Sequence, residues 1–216
     1  MKKVAVILSG AGVFDGSEIH EAVLALHAIE QAGASWHCFA PDMDQHHVIN
    51  HMTGEPMHET RNVLVEASRI ARGQIQNITE LSARDFDALL LPGGFGAAKN
   101  LSDFAFQGAQ CQIHPEVKRA CQEFAKAQKP AGYLCIAPVL IPQIYGKDAK
   151  GTIGNDKDVA SAFRAMGGDH IDCPVDEFVL DQERCLLSTP AYMMAGSISE
   201  AASGINKLVQ HLVKIA

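Results

Sequence analysis

Pro130-Ala131-Gly132-Tyr133-Leu134-Cys135-Ile136-Ala137-Pro138 is the stretch that decides how this chain is read. An apolar run of strand length ends on a cysteine, and an apolar segment with a proline suited to a first helical turn follows at once. The pattern predicts a buried strand that delivers a thiol onto the start of a helix. Unpaired N–H groups and the positive end of the helix dipole there favour thiolate over thiol. Such a turn is a nucleophile elbow, best known for serine in G-x-S-x-G, and the chain contains no G-x-S-x-G. A free cysteine is otherwise a small buried hydrophobe, so the local pattern leaves both readings of Cys135 open.

Outward from this point, strand-length apolar runs alternate with helical patterns, which predicts a parallel sheet covered on both faces. Val4 to Leu8 reads as the first strand. Ser17 can cap a helix to Gln31 with Ile19, Val23, Leu26 and Ile29 on its apolar face, and Gly33 stops it. Ser35 to Ala40 is a second strand, and residues 41–61 read as a polar, mobile excursion. A helix follows over Val63 to Ala71. Asp87 to Leu91 is a buried strand that ends on Pro92-Gly93-Gly94-Phe95-Gly96. Pro115 opens a helix to about Ala127. Ile136 to Tyr145 reads as one apolar helix, with Pro142 its awkward member. Asp158 to Met166 is a short helix, Asp172 to Leu180 and Cys185 to Ser188 are strands, and an amphipathic helix closes the chain. One domain spanning residues 1–216 is the simplest organisation.

A formal net charge of -7 repels phosphate backbones and anionic lipid, and no basic cluster offsets it, so neither nucleic acid nor membrane is an expected partner. The apolar run after Lys2-Lys3 stops at Ser9-Gly10, too short to span a membrane or serve as a signal core. The six cysteines lack C-x-x-C spacing, which points to reduced thiols and a cytoplasmic protein.

Three other features bear on chemistry. Gly93 and Gly94 end a strand, and in open α/β sheets the carboxyl ends of strands border the ligand crevice. Their N–H groups could hold an oxyanion, or the glycines could merely turn the chain. Glu18 and Glu21 begin the first helix at the same edge. A carboxyl beside a thiolate in a desolvated site carries a proton, although acidic residues at helix starts also complement the dipole. Gly10-Ala11-Gly12 with Gly16 imitates a dinucleotide fingerprint, but its spacing is G-x-G-x-x-x-G and Asp15 sits where a pyrophosphate would lie. His46, His47, His51 and His58 lack the spacing of a metal site and read as a solvated loop.

Taken in order, Ser9 to Gly16, Leu91 to Leu101, Gly132 to Pro138 and Thr189 to Met193 resemble the class I glutamine-amidotransferase-like superfamily. The likeness is to its intracellular-protease, chaperone, deglycase and type-three glyoxalase branch, and it spans essentially the whole chain. It implies a flavodoxin-like three-layer sandwich, a homodimer, and Cys135 as nucleophile without metal or organic cofactor. It also implies Glu21 as proton carrier with Glu18 as its neighbour, and oxyanion donors at Gly93 or Gly94 and at Cys135 or Ile136. Two departures matter. Protease-like members carry a histidine directly after the cysteine, where this chain has Ile136. Deglycase-type members carry one in a stretch that matches Gly151 to Asn155, which has none, so His20, His114 or His170 would have to enter from elsewhere.

The expected activity is a glutathione-independent conversion of a small dicarbonyl, glyoxal, to glycolate. Its rivals are protein deglycation by the same thiol and a non-catalytic redox sensor or holdase in which Cys135 is oxidised.

Overall fold

The computed structural model describes all 216 residues. Its strands are β1 (Lys3–Ile7), β2 (Ser35–Ala40), β3 (Ile75–Asn77), β4 (Ala88–Leu91), β5 (Ala131–Leu134), β6 (Lys150–Gly151), β7 (Asp169–His170), β8 (Val179–Asp181) and β9 (Leu186–Thr189). The helices are α1 (Ile19–Gln31), α2 (Val63–Ile70), α3 (Phe95–Lys99), α4 (Phe104–Gln107), α5 (Pro115–Lys126), α6 (Ile141–Tyr145), α7 (Lys157–Ala165) and α8 (Ile198–Ile215). Seven strands form one sheet in the order β3-β2-β1-β4-β5-β9-β8, and β6 pairs with β7 apart from it. All neighbours in the large sheet run parallel except β8, which returns antiparallel beside β9.

Alternation along each strand explains the layers. Val4 and Val6 point to one face with α1, α2 and α8, while Ala5 and Ile7 point to the other with α5 and α6. The two faces bury 25 and 27 residues, so neither is a solvent face and the expected three-layer α/β sandwich is what forms. No helix is long and apolar enough to cross a membrane.

Several local expectations need correcting. The N-cap of α1 is Glu18, whose carboxylate accepts from the Glu21 N–H at 2.7 Å; Ser17 Oγ instead accepts from the Ser9 N–H at 2.9 Å. The buried face of α1 is Glu21, Ala22, Ala25, Leu26, Ala28 and Ile29, while Ile19 and Val23 are exposed. Alanines let α1 pack closely, so its least bulky face turns inward. The run after Cys135 is broken: residues 137–140 form a 3-10 turn and α6 restarts with Pro142 in its first turn, where the missing N–H costs nothing. Residues 172–178 carry no strand, and β8 covers only Val179–Asp181.

The excursion at 41–61 is pinned rather than loose. The Ile49 N–H donates to Asp15 at 2.7 Å, the Phe14 N–H donates to His51 Nε2 at 3.2 Å, and the His46 N–H donates to Asn100 at 3.0 Å. The segment thereby braces Val13–Phe14 from behind. Its histidines belong to no cluster of three or more metal-binding side chains.

Candidate active site

The sheet order reverses direction between β1 and β4, where a crevice opens at the carboxyl ends of the strands. Adjacent strands β1, β4, β5 and β9 there deliver Glu18–Glu21, Gly93–Gly94, Cys135 and Thr189–Tyr192. This brings together residues as far apart as Glu21 and Tyr192, 171 positions distant.

Cys135 follows β5 with φ +58°, the left-handed region that a side chain adopts at a cost of about 1–3 kcal/mol. Its N–H donates to the Thr189 carbonyl at 3.0 Å, which ties the elbow to β9. Ala191, with φ +45°, is a second strained residue beside the site. It turns the chain so that the Tyr192 N–H donates to Glu21 Oε1 at 3.1 Å. The Gly93 N–H donates to Glu21 Oε2 at 2.9 Å. Glu21 is thus fully buried, held by two backbone donors, with the Cys135 thiol as a third.

The electrostatics follow from this enclosure. Burial pushes the Glu21 carboxyl up to about 7 against the pull of its hydrogen bonds, and the nearby Glu18 adds to the rise. Burial, then the adjacent Glu21, holds the Cys135 thiol well above its ordinary value, although the Gly94 and Ile136 N–H groups donate to the sulfur and lower it. The expectation of a resting thiolate is therefore overturned. Only a four-residue 3-10 turn follows the elbow, and its dipole is too small to offset desolvation and a carboxylate. Above about pH 7 the pair is a thiol donating to a carboxylate.

Of the four backbone donors near the sulfur, at Gly93, Gly94, Cys135 and Ile136, two are already used: Gly93 by Glu21 and Cys135 by Thr189. Gly94 and Ile136 are the pair that face the sulfur. A cavity of about 300 Å³ opens over Cys135, walled by Val13, Phe95, Ile136, Val159, Tyr192 and Met193, with Glu18 and Asp156 as its charged lining. No histidine lines it. His170 accepts from the Ile153 N–H at 3.2 Å, and His114 stands at the N-cap position of α5 without a side-chain cap bond; His20 touches the Tyr192 hydroxyl at 2.9 Å. No local signal in the sequence points to Tyr192 or Asp156. Thr189 to Met193 drew notice only as a motif, because nothing local says that this tyrosine faces a cysteine from another strand.

Gly93 is there because nothing larger fits. A Cβ would run into Cys135 Cβ and stand 2.7 Å from Glu21 Oε2 and 2.9 Å from Cys135 Sγ. Gly93→Ala is expected to push thiol and carboxyl apart and cost about 10²-fold in turnover, the scale of a misplacement near 1 Å. Steady-state assay of a variant with native circular dichroism checks this; unchanged turnover would mean the contact is not needed.

No family model matches the chain. It is 44% identical to the mitochondrial ES1 protein homolog of Rattus norvegicus over 223 residues, covering 99% of this chain and 84% of that one. It is 42% identical to the human mitochondrial glutamine amidotransferase-like class 1 domain-containing protein 3, covering 99% and 83%. Among solved structures, an isoprenoid biosynthesis protein with amidotransferase-like domain from Ehrlichia chaffeensis superposes with a TM-score of 0.93 at 38% identity, covering 100% of this chain and 99% of that one. Drosophila melanogaster DJ-1beta, at 15% identity and a TM-score of 0.56, covering 98% and 90%, shares the fold alone. With more than 40% identity along nearly its whole length, the chain belongs to the family of ES1 and glutamine amidotransferase-like class 1 domain proteins.

Proposed function

We propose that this protein is a cofactor-independent glyoxalase that converts glyoxal and water to glycolate. The observation that carries the reading is the buried Glu21–Cys135 pair: a carboxyl near pKa 7 receiving a thiol proton, beneath a small cavity with two inward backbone donors. The motif set also resembles the bacterial enhancing-lycopene-biosynthesis glyoxalase, ElbB.

The steps use this chain's own groups and water, with one proton taken up at the second carbonyl oxygen and one later released from the first. Glu21 takes the Cys135 proton as sulfur attacks one aldehyde carbon, and the resulting oxyanion lies between the Gly94 and Ile136 N–H groups and is then protonated. Glu21, ionised again, removes the hydrogen from that carbon; its electron pair forms the carbon–carbon double bond as the second carbonyl oxygen gains a proton, which gives an enediol. It returns the proton to the second carbon as the first oxygen loses its own, leaving a glycolyl thioester on Cys135. Water hydrolyses the thioester to glycolate and restores the thiol. The acidic lining of Glu18 and Asp156 favours departure of the anionic product. It also disfavours a diphosphate, so an isoprenoid link, as in the name of the Ehrlichia protein, is read as indirect.

Deglycation would use the same thiol, but Cys135 is 7% exposed at the floor of its cavity, which suits a free two-carbon aldehyde better than a protein-bound adduct. Oxidative sensing needs a thiolate, which burial and Glu21 oppose. In this reading the enzyme is a cytoplasmic homodimer. The test is glyoxal consumption matched by glycolate with no added thiol or amine; repair only of pre-formed adducts would overturn it.

Because the base is the ionised form of Glu21, kcat/KM is expected to rise with pH through about 7 and level off. Stability runs the other way. The carboxyl holds its proton more tightly folded (about 7) than unfolded (4.5), so the unfolded chain binds fewer protons between those values. The Glu21 contribution thus falls by about 3 kcal/mol across that window as pH rises. Urea midpoints of wild type and Glu21→Gln, compared from pH 4.5 to 7.5, check this; a constant difference would mean Glu21 titrates normally.

A further inference from the structure

The mechanism leaves one proton without a donor. When Glu21 removes the hydrogen from the first carbon and the enediol forms, the oxygen on the second carbon must gain a proton. Glu21 is occupied at that moment, and the Gly94 and Ile136 N–H groups hold the first oxygen. The remaining polar lining is Glu18, Asp156 and Tyr192. Glu18 accepts from the Glu21 N–H, and Asp156 accepts from the Asp158 and Val159 N–H groups at 3.0 and 2.9 Å. Each has one oxygen engaged as a helix cap, and a carboxylate accepts hydrogen bonds but has no proton to give. Tyr192 is the one hydroxyl-bearing residue of the lining, and its oxygen lies 2.9 Å from His20 Nδ1.

His20 is half-exposed, 3.9 Å from Glu18. Solvent can therefore reach the far side of the imidazole while its near side meets the tyrosine. We infer that Tyr192 is a catalytic acid of the reaction proposed above, giving its hydroxyl proton to the second carbonyl oxygen and being reprotonated through His20 from solvent. As the C–H electron pair moves into the carbon–carbon double bond, the second carbonyl π pair takes the Tyr192 proton. Tyr192 oxygen takes one from His20 Nδ1, and His20 regains it from water. The proton later lost by the first oxygen returns to solvent, so the cycle closes without a co-reactant. The groups facing this pair are Glu18 and Glu21; burial and both carboxylates raise the Tyr192 phenol, which keeps it protonated near neutrality. The strained Ala191 sets Tyr192 so that its backbone N–H holds the base while its side chain serves as the acid.

The inference rests on the glyoxalase reading, and the experiment separates the two. Glycolate formation is measured for wild type, Tyr192→Phe and His20→Gln. Phenylalanine keeps the backbone N–H to Glu21, so the base stays in place. Tyr192→Phe is expected to lower kcat about 10²-fold with KM within about twofold, and His20→Gln to lower it about 10-fold, the range of general-acid effects. Alkylation of Cys135 by iodoacetamide in Tyr192→Phe is expected to keep its wild-type pH profile. A kcat for Tyr192→Phe near wild type overturns the inference alone, as does a displaced alkylation profile, which would make the tyrosine merely structural. A wild type that forms no glycolate overturns the glyoxalase reading and this inference with it.

Discussion

Cys135→Ser is expected to remove glyoxal turnover almost entirely, by about 10⁴-fold or more, while the protein stays folded. The hydroxyl is a far weaker nucleophile than the thiol, and Glu21, near pKa 7, is too weak a base to ionise an alcohol. Oxygen also lies closer to the backbone than sulfur and falls short of the donors at Gly94 and Ile136. Stability should change little, because serine still hydrogen-bonds Glu21 and keeps the same strained backbone at φ +58°. Glycolate formation and thermal unfolding of the purified variant decide the matter. Full turnover in Cys135→Ser would remove the catalytic reading and leave a non-catalytic role for the thiol, with a selective mass increase at Cys135 under mild peroxide as its mark.

Glu21→Gln is expected to cost about 10³-fold in kcat, the middle of the range for a general base. The amide cannot accept the thiol proton or carry one between carbons. It also presents an NH₂ where Glu21 now accepts from either Gly93 or Tyr192. One backbone N–H then faces another donor, so some loss of stability is expected as well. The readout that separates chemistry from damage is the pH profile: the rise through about 7 disappears in Glu21→Gln, whatever its residual rate. A variant that keeps that rise would place the titrating group elsewhere.

The α/β order, the buried strands ahead of Leu91-Pro92-Gly93-Gly94 and Cys135, and the helices from Val63 and Pro115 were all legible because each is a local signal. Period, strand length, glycine and first-turn proline act on their own neighbours. The interrupted helix after Cys135 was half legible, since Pro142 announced a break but not that a 3-10 turn would precede a restart.

The face of α1 was half legible, since Leu26 and Ile29 are buried as their spacing predicts. Ile19, Val23, Leu26 and Ile29 make the more hydrophobic stripe, yet Ile19 and Val23 stand in solvent and Glu21 turns inward. Glu21 is accepted there only because Gly93, Tyr192 and Cys135, from three other strand ends, satisfy its carboxyl.

The sequence by itself determined that strands end in an elbow cysteine, a glycine pair and an acidic helix start, since these depend on residues adjacent in the chain. Only the tertiary structure decided which donors remain free, that Cys135 rests as a thiol, that Glu21 sits near pKa 7, and that a tyrosine rather than a histidine borders the site. Burial and charge at one point are sums over residues from β1, β4, β5 and β9, and no stretch of sequence holds those terms together.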